Sequence, residues 1–124
     1  MEKFLLISLG AVLGANTRYW VGEWAARAWG TTFPYGTLFI NLTGSFLLGL
    51  FMTLITDRFL VDPRWRMLIA IGFLGAYTTF STYAYESVRL ISEGQWTAGL
   101  LNLFGSSLAG GGCMLLGIWA GKLV

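Results

Sequence analysis

Apolar residues fall along this chain in four long blocks, Phe4 to Ala28, Gly36 to Thr56, Met67 to Leu90 and Thr97 to Leu123. Each is close to the roughly 20 residues that a helix needs to cross the hydrocarbon core of a bilayer. The connections between them are short and hold the helix breakers: Gly30 to Tyr35 with Pro34, Asp57 to Arg66 with Pro63, and Ser92 to Gln95 with Gly94. Short connections make neighbouring helices antiparallel. The pattern predicts an all-α membrane protein, a single four-helix transmembrane domain over residues 1–124.

The polar positions inside these blocks are unevenly spread. The stretch Gly72 to Glu86 reads G-F-L-G-A-Y-T-T-F-S-T-Y-A-Y-E. A helix that only sits in lipid needs none of its hydroxyls, because in hydrocarbon every polar group must find a partner. Gly72 and Gly75 precede the hydroxyl run, and glycine-rich breaks in membrane helices expose backbone carbonyls to cations. The third helix is therefore expected to be broken here, and this is the first place to look for function.

Composition agrees with a membrane setting. Of 124 residues, 56% are hydrophobic and 11% charged, with a mean hydropathy of +0.66. A soluble domain carries about 25% charged residues. The net charge of +2 and the scattered basic residues give no nucleic-acid surface. There is no histidine, which removes His-based catalytic triads and the usual zinc sites, and no enzyme reading has support. The lone cysteine, Cys113, lies in an apolar run.

The start of the chain, Lys3 followed by F-L-L-I-S-L-G-A-V-L-G-A, imitates a signal peptide. Apolar character resumes after Arg18 with Tyr19, Trp20, Val21 and Trp24, so a retained first helix is expected. Tryptophans gather near the block ends as an aromatic belt. With both termini on one side, that side holds Lys3, Arg58, Arg64, Arg66 and Lys122, and the other holds Arg18, Arg27 and Arg89. The positive-inside bias is weak, and insertion in both orientations is conceivable.

A repeat also emerges. L-G-A-x-T at Leu13 recurs at Leu74, and N-L-x-G-S-x-L-x-G at Asn41 recurs at Asn102, both at an offset of 61 residues. The two halves read as related hairpins in parallel orientation. Small residues on the fourth block, Ser106, Gly110, Cys113, Gly117 and Gly121, provide close-packing faces. Four helices are few to enclose a polar path alone, so a dimer is expected.

Several residues are candidates for chemistry. Asn41, with Ser45 one turn further on, either donates to a passing anion or bonds a neighbouring helix, and the residues alone leave both open. Phe80 and Tyr83, three apart, share a helix face. Their electropositive ring edges suit an anion, and packing is the plainer reading. Thr79, Ser81 and Thr82 supply O–H donors beyond what carbonyl back-bonding requires. Glu86 with Arg89 reads as an interfacial pair or as a proton carrier, and Arg18 as a snorkelling residue or an anion attractor. Donors in the apolar blocks are mostly neutral, which favours an anion path over a cation or proton path.

At this point the motifs match a family. L-G-A-x-x-R-Y (Leu13 to Tyr19), G-T-L-x-x-N-x-x-G-S-F-x-L-G (Gly36 to Gly49), G-F-x-G-A-x-T-T-F-S-T (Gly72 to Thr82) and N-L-x-G-S in the fourth helix resemble the Fluc (CrcB-type) fluoride channels of bacteria. The resemblance covers essentially the whole chain. It implies an antiparallel, dual-topology homodimer in the inner membrane with two fluoride pores. It implies that Asn41 lines the pore, that Phe80 and Tyr83 present ring edges to fluoride, and that Ser81, Thr82 and Ser106 belong to a polar track. It implies a structural sodium ion at the dimer centre, held by the backbone carbonyls of Gly75 and Thr78. The family usually has phenylalanine where this chain has Tyr83, which keeps the ring edge and adds a phenol donor.

The expected function is passive, fluoride-selective export, giving fluoride resistance, with fluoride and membrane lipid as partners. The rival is a small dual-topology proton-coupled multidrug transporter. It needs a carboxylate at the bundle centre, whereas Glu23 and Glu86 lie toward helix ends. A non-transporting assembly subunit is the third reading.

Overall fold

The computed structural model describes all residues 1–124, and they are helical apart from short connections. Helix α1 spans Glu2–Trp29 and α2 spans Tyr35–Arg58. The third span, Pro63–Ser92, is two pieces, α3 over residues 63–77 and α4 over Phe80–Ser92. The fourth span, α5, covers Trp96–Leu123. These four spans are long and apolar enough to cross a membrane. The exterior is accordingly apolar, with Phe4, Val12, Leu108 and Leu115 all exposed.

The helices overrun the apolar blocks by up to four residues, because capping rather than hydropathy sets their ends. Asp62 accepts from the Arg64 N–H at 3.0 Å and Pro63 occupies the first turn, so the third span starts before Met67. Gly30, at φ 81°, ends α1 in a backbone conformation that glycine adopts without a Cβ penalty.

Packing follows the small residues. Helix α1 lies on α3 and α2 on α5, with α4 against the start of α5. A Cβ on Gly10 would strike the Leu68 carbonyl, and one on Gly72 would meet the Ile7 carbonyl at 2.8 Å. Gly117 faces the Phe46 carbonyl just as closely, and Gly49 faces Met114. Backbones this near are the basis of helix association in lipid, where apolar burial against a neighbour gains little over burial in lipid. Three stretches are wound more widely, as π-helix: Leu54–Arg58, Arg66–Leu74 and Leu101–Gly105.

The third span is interrupted at two residues. Thr78 (φ −80°, ψ 157°) and Thr79 (φ −148°, ψ 120°) are extended, and the helix restarts at Phe80. Thr79 is the N-cap of α4, its hydroxyl accepting from the Thr82 N–H at 3.3 Å. Two threonines favour the extended conformation on their own account, since β-branched residues are stiff in helices.

Candidate functional site

An unwound turn inside a bilayer needs replacement hydrogen bonds, and Asn41 of α2 supplies them. Its Nδ2 donates to the Thr79 carbonyl and its Oδ1 accepts from the Thr79 N–H, both at 2.9 Å. The side-chain amide thus pairs with the backbone as a second peptide would. Thr79 is further fixed by its hydroxyl, which donates to Thr82 Oγ1 at 3.0 Å. The N–H groups of Thr79 and Thr82 are therefore drawn to side chains. The carbonyls of Gly75 and Thr78, which those N–H groups would reach in a continuous helix, lose those donors.

Two cavities meet at this turn. The first, about 500 Å³, is lined by Asn41, Ser45, Gly75, Thr78, Thr79, Phe80, Tyr83, Ser106 and Ser107 among others, none of them charged. The second, about 370 Å³, is lined by Arg18, Glu23, Thr37, Thr79, Thr82, Glu86 and Arg89 among others. Thr79 lines both. The arrangement is a charged chamber and a neutral chamber with a threonine between them.

In the neutral chamber, the Phe80 and Tyr83 rings lie with centroids 5.6 Å apart, tilted by 52°. Phe80 is 78% exposed and Tyr83 only 7%. The Tyr83 hydroxyl donates to the Leu103 carbonyl and lies 2.8 Å from Ser107 Oγ. Ser106 reaches the chamber, but its hydroxyl hydrogen is donated to Asn102 Oδ1 at 2.9 Å. In the charged chamber, Thr37 donates to Glu86 Oε1 at 2.5 Å. Arg18 is there too, with its Nε buried and unpartnered.

The sequence-derived candidates divide between the chambers. Asn41, Thr78, Thr79, Phe80, Tyr83, Gly75 and Ser106 gather in the first, and Arg18, Thr82 and Glu86 in the second. Ser81 is exposed and lines neither within one chain. Sequence reasoning missed Thr37 and Ser107. Thr37 was detectable, since Thr37, Asn41 and Ser45 form a stripe at spacing four on one face of α2. Ser107 had no local signal, because its partner Tyr83 is on another helix.

Four bilayer-length helices around an unwound, donor-lined turn define a multi-pass membrane protein built about a polar path. Comparison with known proteins sharpens this. Residues 5–118 match the family described as CrcB-like protein, Camphor Resistance (CrcB). A protein of Koribacter versatilis named fluoride-specific ion channel FluC is 48% identical over 124 residues, covering 100% of this chain and 96% of its own. Proteins with the same name from Acidobacterium capsulatum and Chloroflexus aurantiacus are 48% and 43% identical, each over 98% of this chain and 94% and 97% of theirs. The chain belongs to the CrcB-like family.

Proposed function

We propose that this protein is a fluoride-selective channel of the bacterial inner membrane that lets fluoride leave the cell passively and so confers fluoride resistance. Fluoride enters as the neutral acid and dissociates inside, which gives export its driving force. The observation that carries the reading is the neutral chamber. It holds the Phe80–Tyr83 ring pair, one spare Nδ2 hydrogen on Asn41 and no charged side chain. A small anion holds its water strongly, and entry requires donors that replace it without trapping the ion. Ring edges and neutral amides are weak donors of that kind, whereas an arginine in the same place would bind too well.

The conducting unit in this reading is an antiparallel homodimer. Phe80 is 78% exposed in the single chain, and a second copy laid against α4 would turn that open wall into an enclosed path. The balance of basic residues, five against three, suits insertion in both directions. The resemblance that implies a structural sodium ion also fits the turn, since the Gly75 and Thr78 carbonyls lose their helical donors to Asn41 and Thr79 Oγ1. These carbonyls would hold the ion, and its charge would offset theirs at the helix break.

The test is fluoride efflux from liposomes containing the purified protein, followed with a fluoride electrode under valinomycin, with a parallel chloride run. Fast fluoride efflux without chloride efflux supports the channel. No efflux in either run, from folded dimer, discards it.

A further inference from the structure

Tyr83 carries a hydroxyl at a position where a bare ring would serve the chamber, and the structure accounts for where its hydrogen goes. Three oxygens meet between α4 and α5: the Tyr83 phenol, Ser107 Oγ and the Leu103 carbonyl. Ser107 Oγ is 2.8 Å from the phenol oxygen and 2.8 Å from the Leu103 carbonyl, and the phenol also bonds that carbonyl. The carbonyl only accepts, so two hydroxyl hydrogens serve three contacts. Both hydroxyls are placed to donate to the Leu103 carbonyl, and in that placement both hydrogens stay inside the triangle. Neither then points to an ion in the chamber.

The other end of the residue is tied as well. Ser87, fully buried, donates to the Tyr83 carbonyl at 2.8 Å. Asn102 Nδ2 donates to Ser87 Oγ at 2.8 Å, and Ser106 donates to Asn102 Oδ1 at 2.9 Å. Tyr83 is thereby fastened at backbone and phenol to one stretch of α5, which is π-wound over Leu101–Gly105. Two aligned polar clusters on a single helix seam are more than packing requires, and a side-chain ring held at both ends cannot tilt freely.

We infer that the Tyr83 hydroxyl is a lock and not a fluoride ligand: with Ser107 and the Leu103 carbonyl it clamps α4 to α5, and the clamp sets the ring edge that faces the ion beside Phe80. The inference rests on the channel reading. Through its hydroxyl Tyr83 is a positioning residue, and Ser107 is its partner in that role.

The experiment compares Tyr83→Phe, Ser107→Ala, the double variant and Ser107→Thr in liposomes, with fluoride and chloride efflux measured for each. Either single change is expected to slow fluoride efflux about tenfold, the rate equivalent of one strong net hydrogen bond. The double variant is expected to be no slower than the singles, because both break the same triangle. The fluoride-to-chloride permeability ratio should fall to one common value, and Ser107→Thr, which keeps a hydroxyl, should restore both. If Tyr83→Phe slows efflux while Ser107→Ala leaves it unchanged or faster, the phenol ligates fluoride directly and the lock is overturned. Wild-type rates in both singles overturn it equally. Failure of the channel reading shows separately, as absent fluoride efflux in the wild type. The clamp is then judged by thermal unfolding in detergent. Coupled, non-additive losses at positions 83 and 107 support it, and additive losses overturn it.

Discussion

Asn41 grips Thr79 from both sides of one residue, donating to its carbonyl and accepting from its N–H at 2.9 Å each. This one pair replaces the two backbone bonds that Thr79 itself gives up where the helix unwinds. Of the two readings that the sequence left open for Asn41, the bond to a neighbouring helix is present. One Nδ2 hydrogen is used in that bond, and the proposed channel role rests on the other. Asn41→Ala would strand both Thr79 groups, at about 1–3 kcal/mol for each group left unsatisfied. The expected result is a clear drop in the unfolding temperature in detergent together with lost fluoride efflux. Asn41→Asp is expected to lose efflux as well, since a carboxylate cannot donate to the Thr79 carbonyl and repels an anion. Unchanged stability in Asn41→Ala would show that the turn holds without this pair.

Phe80 presents a contrast, since it is 78% exposed, one side of its ring tilted against the buried Tyr83. Removing an exposed ring costs the subunit little stability. Phe80→Ile should therefore fold like the wild type yet pass no fluoride. Gel filtration and the fluoride electrode read the two halves of this statement independently. Efflux at the wild-type rate would remove the ring edge from the mechanism.

The contact of α2 with α5 is set by glycine, and it should be intolerant of side chains. A Cβ at Gly117 falls on the Phe46 carbonyl, and backbone cannot swing aside as a flexible side chain can. Gly117→Ala is expected to lower stability by about 1–3 kcal/mol, the usual cost of overpacking. Thermal unfolding in detergent measures this. A wild-type unfolding temperature would mean that the two helices separate without penalty.

Much of this arrangement was legible in the sequence, and the parts that were not share a physical cause. The four spans were visible because lipid demands apolar blocks, and Thr78–Thr79 stood out because hydroxyls are costly there. Helix ends were misplaced where a cap decided them, as at Asp62–Pro63, since charge at a span end does not stop a helix. The π-wound turns left no mark, because winding depends on how a helix fits its neighbours. Nor did the repeat extend to bonding: Asn41 holds a backbone residue of the unwound turn, while Asn102 bonds the Ser87 and Ser106 hydroxyls. Side-chain pairs across helices, Thr37 with Glu86 and Tyr83 with Ser107, need the tertiary fold to be seen at all.

The orientation of the proposed dimer can be tested with single cysteines. Cys113 must first be replaced by serine, since it is half-buried and its thiol is free. Cysteines are then placed singly at the two ends of α1, and a mixture of the two variants is oxidised. An antiparallel pair brings opposite ends of the two copies to the same membrane face. Disulfide or short-linker products should join unlike ends, read on a non-reducing gel. Links only between like ends would sink the antiparallel arrangement.

The last prediction concerns the cation. Gly75 and Thr78 belong to the turn where the helical ladder is interrupted, and the N–H groups that would reach their carbonyls bond Asn41 and Thr79 Oγ1 instead. Carbonyl oxygens of this kind suit a small hard cation, and sodium binding that occurs only in the assembled dimer would stabilise it by mass action. Purification in a large organic cation instead of sodium is therefore expected to lower the unfolding temperature of the dimer, and re-addition of sodium to restore it. Fluoride efflux should follow the same course, because Phe80 lies two residues from Thr78, one of the carbonyls proposed to hold the ion. Potassium, being larger, should restore less than sodium at equal concentration. Equal stability and efflux in all three media would show that the break is satisfied by Asn41 and Thr79 alone, with no ion required.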